Sequence, residues 1–324
     1  MKMLTLIFFI LLTSSTHISA TELVFSSGNN KLTGHYLNNL NPDPPKGVIL
    51  FVHGDGDLSY DAEGYYSIIW DQLRKHGYSI FSWDKSGVGH SSGHWLSQSM
   101  QDRQLEVISA IELIQKKYGF TPENTGLLGF SQAGWVVPKL AGSSKRIGFA
   151  IGIGFTQNWI DQGRYYTRIK HERRGDSEQQ IQAAIEQYND EIASFNSSPM
   201  YSKQFAKNGM SRERFAFVLR NYQSDAADDY QKISIPMLLL WGENDLNVDA
   251  GKEFIRWTKN PNKNVTIKLI ANATHVLLKS EYFDGQHISF YQWLKLNWLQ
   301  QDALAPEFLP VLLDWLDIHV NSDR

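Results

Sequence analysis

The sequence predicts an α/β fold in which a mostly parallel sheet is covered by helices on both faces. Short apolar segments alternate along the chain with longer segments whose apolar residues recur at helical spacing. Several short segments, such as residues 48–52, are apolar at every position, which is typical of strands buried on both faces. The 324 residues are 42% hydrophobic, enough for one large core but too few for two or three full domains.

The individual strands and helices follow from the same periodicities. Alternating segments around Gly28 predict a hairpin at the edge of the sheet, within residues 22–37. A helix is predicted over residues 63–75, closed by Gly77, and another over about 105–118. The apolar stripe of the second consists of Leu105, Ile108, Ile111 and Ile114. The remaining expected strands cover residues 78–83, 125–130, 147–153, 235–241 and 265–270, and terminal helices are expected over 290–299 and 311–320.

The strand pattern stops at about Thr156 and resumes at Ile235. The residues between them are polar, aromatic and helical in spacing, as in the stripe Ile181, Ala184, Ile185 and Tyr188 and the stripe Phe215, Phe217, Val218 and Tyr222. We interpret residues 157–232 as a helical insertion that acts as a lid, within a single domain of residues 21–324.

Residues 1–20 differ in kind from the rest of the chain. A single charge at Lys2 precedes a mostly apolar run over residues 4–12, and small residues end the segment at Ser19 and Ala20. This order is typical of a cleaved secretory signal peptide, and the run is about half as long as a membrane-spanning helix requires. No stable membrane anchor is therefore expected.

Charge and cysteine content narrow the partners and the compartment. The formal net charge is −3 and the isoelectric point is near 6.4, so no basic surplus indicates binding to nucleic acid or to an anionic membrane. The chain has no cysteine, hence no disulfide. An exported protein of this size without disulfides is expected in a bacterial periplasm or outside the cell. A small-molecule partner is favoured, and the oligomeric state stays open.

A serine in a tight, small-residue turn is the main candidate for chemistry. Ser131 lies in the segment 129–134, GFSQAG, between an apolar strand and a helical pattern. This arrangement is typical of a nucleophile elbow, whose strained turn needs small flanking residues. Ala133 stands where the motif usually has glycine. Alone, the motif fits a glycine-rich turn equally well, so the rest of the chain decides.

A serine nucleophile needs a histidine base and a carboxylate that orients it. In this strand order both are expected after the serine, in loops that follow later strands. Asp245 follows the strand at 235–241, and His275 follows the strand at 265–270. Asp249 and Glu243 are alternative carboxylates, and His287 and His171 are alternative bases.

Two backbone N–H groups are expected to stabilise the negative charge that acyl transfer creates. One belongs to Gln132, directly after the serine. The other is expected in the loop after the strand at 48–52, at Asp55 first and at Gly56 second. His53 in that loop is expected to be structural.

Neither a cofactor nor a metal is expected. The glycine-rich loop after residue 83 has Ser92 in place of the third glycine of a dinucleotide fingerprint. His90 and His94 are four residues apart but lie in a glycine-serine loop and not on a helix. A basic cluster in the insertion fits either an anionic substrate or a solvated helix face, the second being the simpler interpretation; it comprises Arg164, Arg168, Lys170, His171, Arg173 and Arg174.

Taken together, five segments resemble the α/β-hydrolase superfamily, and more narrowly a bacterial serine-esterase branch, over about residues 22–300. They are HGDG at 53–56, DKSGVGHS at 84–91, GFSQAGW at 129–135, WGEND at 241–245 and TH at 274–275. The resemblance implies an eight-stranded, mostly parallel sheet with a helical lid, the triad Ser131, His275 and Asp245, and no cofactor. Ala133 and Ser86 depart from it, standing for a glycine and an arginine.

The expected activity is that of a serine hydrolase that cleaves carboxyl esters through an acyl-enzyme intermediate. An aminopeptidase, an amidase or a thioesterase is an alternative, because the same triad serves all of these reactions. A binding protein that keeps the fold without catalysis is an alternative of a different class.

Overall fold

The computed structural model describes residues 20–143, 145–197, 199–207 and 209–320. The predicted signal peptide, apart from Ala20, lies outside the described residues. None of the described helices combines the length and the apolar character needed to cross a membrane.

Within the described residues, one eight-stranded sheet organises the chain, in the order β1-β2-β4-β3-β5-β6-β7-β8. The N-terminal hairpin β1–β2 forms one edge, and β2 runs antiparallel to β4. All other neighbours are parallel, so the predicted fold class is confirmed. The strands are β1 Thr21–Ser27, β2 Asn30–Leu37, β3 Gly47–Val52, β4 Tyr78–Trp83, β5 Thr125–Phe130, β6 Phe149–Ile153, β7 Met237–Gly242 and β8 Val265–Ile270.

Helices cover both faces of the sheet because the central strands are apolar on both sides. In β3, Leu50 and Val52 belong to one core cluster, and Ile49 and Phe51 belong to the other. The first cluster holds the buried faces of three helices, α2 Met100–Tyr118, α3 Val137–Ser143 and α9 Ala250–Lys259. The second holds those of α1 Tyr65–Lys75, α10 Phe290–Leu299 and α11 Phe308–His319.

The end of α1 agrees with its predicted stop signal to within one residue. His76 is the C-terminal cap, and Gly77 follows it with a φ of 97°, in the region that glycine adopts without strain. The chain then turns directly into β4.

The predicted buried stripe of α2 is wrong at its first position. Leu105 is 52% exposed, whereas the neighbouring Arg103 and Glu106 are buried. The Glu106 carboxylate accepts hydrogen bonds from Trp83 Nε1 at 2.6 Å and from Gln98 Nε2 at 2.6 Å. The apolar pattern of the sequence does not reveal that charged residues are buried on this face, because their hydrogen-bond partners lie elsewhere in the chain.

The described residues between β6 and β7 form five helices, in agreement with the helical character predicted for this segment. They are α4 Trp159–Glu172, α5 Glu178–Phe195, α6 Lys203–Lys207, α7 Arg212–Asn221 and α8 Ala227–Gln231. We call them the helical insertion. Its core contains packed aromatic rings, with Phe215 contacting Phe195 and Phe205. In the basic cluster, Arg168 pairs with Glu178 at 3.0 Å, which agrees with a solvated, charge-balanced helix face.

His53 follows β3 and is buried. Its Nε2 lies 2.5 Å from the carbonyl oxygen of Trp83, which can only accept, so Nε2 carries the proton. Nδ1 then accepts from the hydroxyl of Tyr66 at 3.2 Å. Burial lowers the pKa of His53 to about 3, although the Trp83 carbonyl opposes that shift. His53 therefore joins β3, β4 and α1 as a neutral imidazole, the structural role expected for it.

The orientation of α2 can be tested with two truncations on the same helix. We expect Ile111→Ala to lower the free energy of unfolding by about 2–5 kcal/mol, since Ile111 is fully buried and its loss leaves a cavity. Leu105→Ala should change it by no more than about 0.5 kcal/mol. Equilibrium denaturant unfolding measures both values, and equal losses at the two positions would contradict the orientation.

The neutral state of His53 predicts a pH dependence of stability. Between about pH 6.5 and pH 3 an unfolded His53 binds a proton that the folded one does not, so stability falls as the pH falls. This residue contributes a slope of up to about 1.4 kcal/mol per pH unit. Denaturant unfolding from pH 4 to pH 7 should show a shallower slope in His53→Gln. The exposed His90→Gln variant should keep the parental slope, and identical slopes in all three proteins would refute this assignment.

Candidate active site

Ser131 lies directly after the central strand β5, in a backbone conformation that few side chains adopt. Its φ is 49°, in the left-handed region. A short 3-10 turn, Ser131–Trp135, leads from it into α3. The sharp turn places the serine beyond the carboxyl end of the sheet, as a nucleophile elbow requires.

Close packing around the turn accounts for the small residues of the motif. A Cβ on Gly129 would lie 2.9 Å from the Cβ of Ala133 and from side-chain atoms of Phe155 and Val137. Ala133 itself is fully buried. The methyl group of Ala133 is thus accommodated because Gly129 has no side chain, so the departure from glycine at 133 leaves the turn intact.

Asp245 and His275 lie together in the loops that follow β7 and β8. Oδ2 of Asp245 is 2.7 Å from Nδ1 of His275. The other oxygen, Oδ1, accepts from the backbone N–H groups of Asn247 at 2.7 Å and Val248 at 2.8 Å. The Asp245 side chain is fully buried. These bonds fix the carboxylate, which in turn holds the imidazole with its proton on Nδ1.

The alternative carboxylates and bases have other partners. Asp249 caps α9 by accepting from the N–H of Lys252 at 2.9 Å, and Glu243 accepts from the N–H of Asn272 at 3.3 Å. His171 lies 2.6 Å from Asp176 within the helical insertion. His287 contacts the hydroxyl of Tyr166 at 2.9 Å.

Two contacts near the histidine are not predicted by the sequence, which marks Tyr165 only as an aromatic residue that could line an acyl pocket. Gly154, after β6, has a φ of 63°, and a Cβ there would lie 2.7 Å from Cε1 of His275. The glycine therefore makes room for the imidazole. Tyr165 of the helical insertion donates a hydrogen bond from its hydroxyl to the backbone oxygen of Asp245 at 2.8 Å.

The loop after β3 lies against the elbow. A Cβ on Gly54 would be 3.3 Å from the Cβ of Ser131 and 3.3 Å from the backbone oxygen of Phe130. Within the described part of the chain, the backbone N–H groups of Asp55 and Gln132 make no hydrogen bond. The two predicted oxyanion donors are thus unused next to the serine.

Side chains below this loop connect the same two residues. Arg103 donates to Oε1 of Gln132 at 2.8 Å and also to the backbone oxygen of His53. The amide of Gln132 donates to Oδ1 of Asp55 at 3.1 Å. Lys85 donates to the backbone oxygen of Gly54 at 2.9 Å.

Arg214 of α7 joins the helical insertion to this loop. Its guanidinium makes two hydrogen bonds to the carboxylate of Asp55, at 2.8 and 2.6 Å. Burial would raise the pKa of Asp55, but the hydrogen bonds and charge of Arg214 outweigh burial and lower it. The Asp55 side chain is therefore a carboxylate whose charge is already matched by an arginine.

A cavity of about 680 Å³ is lined by both Ser131 and His275. Among its described lining residues, Asp55 is the sole carboxylate and Arg214 the sole arginine or lysine. Much of the remaining wall is apolar or aromatic, including Leu58, Ala62, Tyr65, Phe130, Trp135 and Trp159. The cavity suits an uncharged, largely apolar ligand.

The glycine-rich loop after β4 is held by its own first residue. Asp84 accepts from the N–H of Tyr60 at 2.9 Å and from that of His90 at 3.3 Å. Ser86, which departs from the family pattern, is buried and lies 3.5 Å from Oε2 of Glu106. His94 caps a short turn by accepting from Leu96 N–H. The described residues contain no group of three or more His, Cys, Asp or Glu side chains that could hold a metal ion.

Comparison with known proteins agrees with this geometry. Residues 43–281 match the family described as Serine aminopeptidase, S33. No curated protein sequence matches the chain.

Solved structures share the fold at low sequence identity. An esterase of Pyrococcus furiosus has 18% identity, with a TM-score of 0.59 over 94% of this chain and 92% of its own. An α/β hydrolase of a Penicillium species has 12% identity and a TM-score of 0.59, over 93% and 99%. The proline iminopeptidase of Mycobacterium smegmatis has 15% identity and a TM-score of 0.58, over 93% and 99%.

At these identities the structural matches establish the fold, while the family match covers well over half of the chain. The protein therefore belongs to the serine aminopeptidase family of the α/β-hydrolase superfamily and is a serine hydrolase by family.

Proposed function

We propose that this serine hydrolase cleaves carboxyl esters of small molecules through an acyl-enzyme intermediate, with Ser131, His275 and Asp245 as its triad. The observation that carries the proposal is the 2.7 Å contact between Asp245 and His275 beside the cavity that Ser131 also lines. The left-handed conformation of Ser131 supports it, because a strained serine at a strand end is the expected form of an exposed nucleophile.

The proposed mechanism uses the hydrogen bonds around His275. With Nδ1–H donated to Asp245, Nε2 is left as the base that takes the proton of the Ser131 hydroxyl. The serine oxygen attacks the ester carbonyl, and the N–H groups of Asp55 and Gln132 receive the developing oxyanion. His275 then protonates the leaving alcohol. In the second half of the reaction, His275 activates a water molecule, which attacks the acyl-enzyme and releases the acid.

The charge pattern of the cavity favours esters over peptides with a free amino terminus. The ammonium group of an aminopeptidase substrate is costly to bury without a compensating partner, and an unpaired carboxylate is the strongest such partner. The described cavity wall offers only Asp55, which Arg214 already pairs through two hydrogen bonds. An uncharged acyl group meets no such requirement. The family match and the proline iminopeptidase neighbour make aminopeptidase activity the second candidate.

We further propose that the helical insertion is a lid and that the protein acts in a bacterial periplasm or outside the cell. The bonds from Arg214 to Asp55 and from Tyr165 to Asp245 support a lid, because both join the insertion to residues of the site. The signal-like pattern of residues 1–20 supports export.

Alanine variants test the triad directly. We expect Ser131→Ala to lower kcat for a p-nitrophenyl ester by roughly 10⁴-fold or more, and Asp245→Ala by roughly 10³-fold to 10⁴-fold. Asp249→Ala is the matched control, since its carboxylate caps α9, and should keep kcat within about threefold of the parent. A large loss at 249 with little at 245 would reverse the assignment, and unchanged turnover in Ser131→Ala would overturn the proposal.

A substrate series separates the two candidate activities. Initial rates with p-nitrophenyl esters of two to eight carbons are compared with those for amino-acid and proline p-nitroanilides. We expect kcat/KM for the best ester to exceed that for the best anilide by at least about 100-fold, corresponding to about 2.7 kcal/mol. The reverse ranking would establish the aminopeptidase instead, and turnover of neither class would favour the non-catalytic binding protein.

A further inference from the structure

Lys85 is a buried lysine at the start of the glycine-rich loop, directly below the predicted oxyanion site. Its ammonium group donates to the backbone oxygen of Gly54 at 2.9 Å. We propose that Lys85 is a positioning residue that orients the peptide between Gly54 and Asp55 so that the Asp55 N–H faces the oxyanion. This inference rests on the proposed hydrolase function and assigns a residue that the triad does not include.

Because the peptide bond is planar, the direction of its carbonyl oxygen also sets the direction of its N–H. In a trans peptide the carbonyl and the N–H of the same unit point in opposite directions. The oxygen that Lys85 holds and the N–H of Asp55 belong to one such unit. Fixing the oxygen therefore fixes the direction of the N–H, and a positive charge at the oxygen also polarises the N–H as a donor.

Gly54 places this peptide next to Ser131. Its Cα is adjacent to Ser131, since a Cβ on Gly54 would meet the Cβ of the serine at 3.3 Å. The Asp55 N–H makes no hydrogen bond with any described residue. It is thus available to a ligand, and it needs some other restraint to hold its direction.

The burial of Lys85 is not explained by an ion pair. No carboxylate of the described residues lies within salt-bridge distance of its ammonium group, although Asp55 and Glu106 are near enough to attract it. The indole of Trp95 lies 4.8 Å away and provides a cation–π contact. Burying an ammonium group costs free energy, which hydrogen bonds must offset. The hydrogen bond to the carbonyl oxygen of Gly54 is therefore the contact that we test.

The surroundings of Lys85 also predict a pH effect. Burial lowers its pKa to about 7, helped by the charges of Arg103 on α2 and Arg214 on α7 and opposed by Asp55 and Glu106. The ammonium form is therefore lost as the pH rises through about 7. The bond to Gly54 then loses its charge, and kcat should decline on the alkaline side.

Arg103 acts on the same loop in a different way. It holds the carbonyl of His53, which belongs to the preceding peptide, and the side chain of Gln132. Among the described side chains, only Lys85 donates a hydrogen bond to the carbonyl oxygen of the peptide that contains the Asp55 N–H. The two residues can therefore be separated by mutation.

The test compares Lys85→Met with Lys75→Met, which removes an exposed lysine from α1. We expect Lys85→Met to lower kcat for a p-nitrophenyl ester roughly 10-fold to 100-fold, part of the loss known for deletion of a whole oxyanion donor. KM should change less than about threefold, because the ground-state carbonyl gains little from the donor. The alkaline decline of kcat should disappear, and Lys75→Met should match the parent in all three respects.

Binding of two inhibitors distinguishes orientation from general disturbance. A trifluoromethyl ketone, which forms an oxyanion on the serine, should lose affinity in Lys85→Met by about the same factor as kcat/KM. The corresponding secondary alcohol, which forms none, should bind as tightly as it does to the parent. Equal losses for both inhibitors would indicate a general disturbance of the site and would overturn the proposal.

A restored ammonium group provides the rescue. The chain has no cysteine, so Lys85→Cys carries a single thiol. Alkylation with 2-bromoethylamine in denaturant, followed by refolding, returns an amine at nearly the original length, and ethyl iodide gives the uncharged counterpart. We expect the aminoethylated protein to recover most of kcat and the ethylated one to stay at the level of Lys85→Met, relative to parent protein carried through the same treatment.

These outcomes separate the inference from the function on which it rests. The hydrolase proposal would be refuted if the parent protein did not turn over the ester, or if Ser131→Ala still did. A different result would refute only the role of Lys85. In that case the parent turns over the ester and Ser131→Ala does not, but Lys85→Met keeps the parental kcat, or ethylation restores kcat as well as aminoethylation does.

Discussion

The left-handed turn at Ser131 is the constraint on which the rest of the site depends. A side chain in this conformation is strained, and it persists only where its surroundings leave the backbone no alternative. Here a Cβ on Gly129 would lie 2.9 Å from side-chain atoms of Ala133 and Phe155, and a Cβ on Gly54 would lie 3.3 Å from the Cβ of Ser131. The central position of β5 in the sheet makes this packing rigid, so the serine is held at the carboxyl edge where the loops after β3, β7 and β8 converge.

Two layers of polar contacts surround that serine. In the proposed mechanism, Asp245 and His275 supply the base, and their contact is fixed by backbone N–H groups within the β7 loop. Cations supply the second layer. Lys85 and Arg103 donate hydrogen bonds to backbone oxygens of the loop after β3, and Arg214 joins that loop to the helical insertion. Such a cluster in a low-dielectric site would favour a developing negative charge. Arg214 also pairs with the carboxylate of Asp55, and this pairing supports the preference for uncharged substrates that we propose.

The sequence revealed the parts of this arrangement that repeat a local pattern. Continuous apolar runs located the strands, and the strand ends then predicted the loops that hold Ser131, Asp245 and His275. Contacts between distant segments left no local trace. Arg214 and Asp55 are 159 residues apart. On α2, Arg103 is buried, whereas Leu105, which the apolar pattern assigned to the buried face, is exposed. Gly154 and Lys85 act through a backbone conformation and a peptide orientation, which residue type alone does not reveal.

In the mechanism that we propose, Ser131 is an activated nucleophile. The most direct measurement is the intact mass of the protein after incubation with a fluorophosphonate, followed by peptide mapping of the adduct. We expect one phosphonyl group per chain, located on Ser131 and absent from both Ser131→Ala and Asp245→Ala on the same timescale. A folded protein that stays unlabelled, or one labelled at another residue, would contradict it.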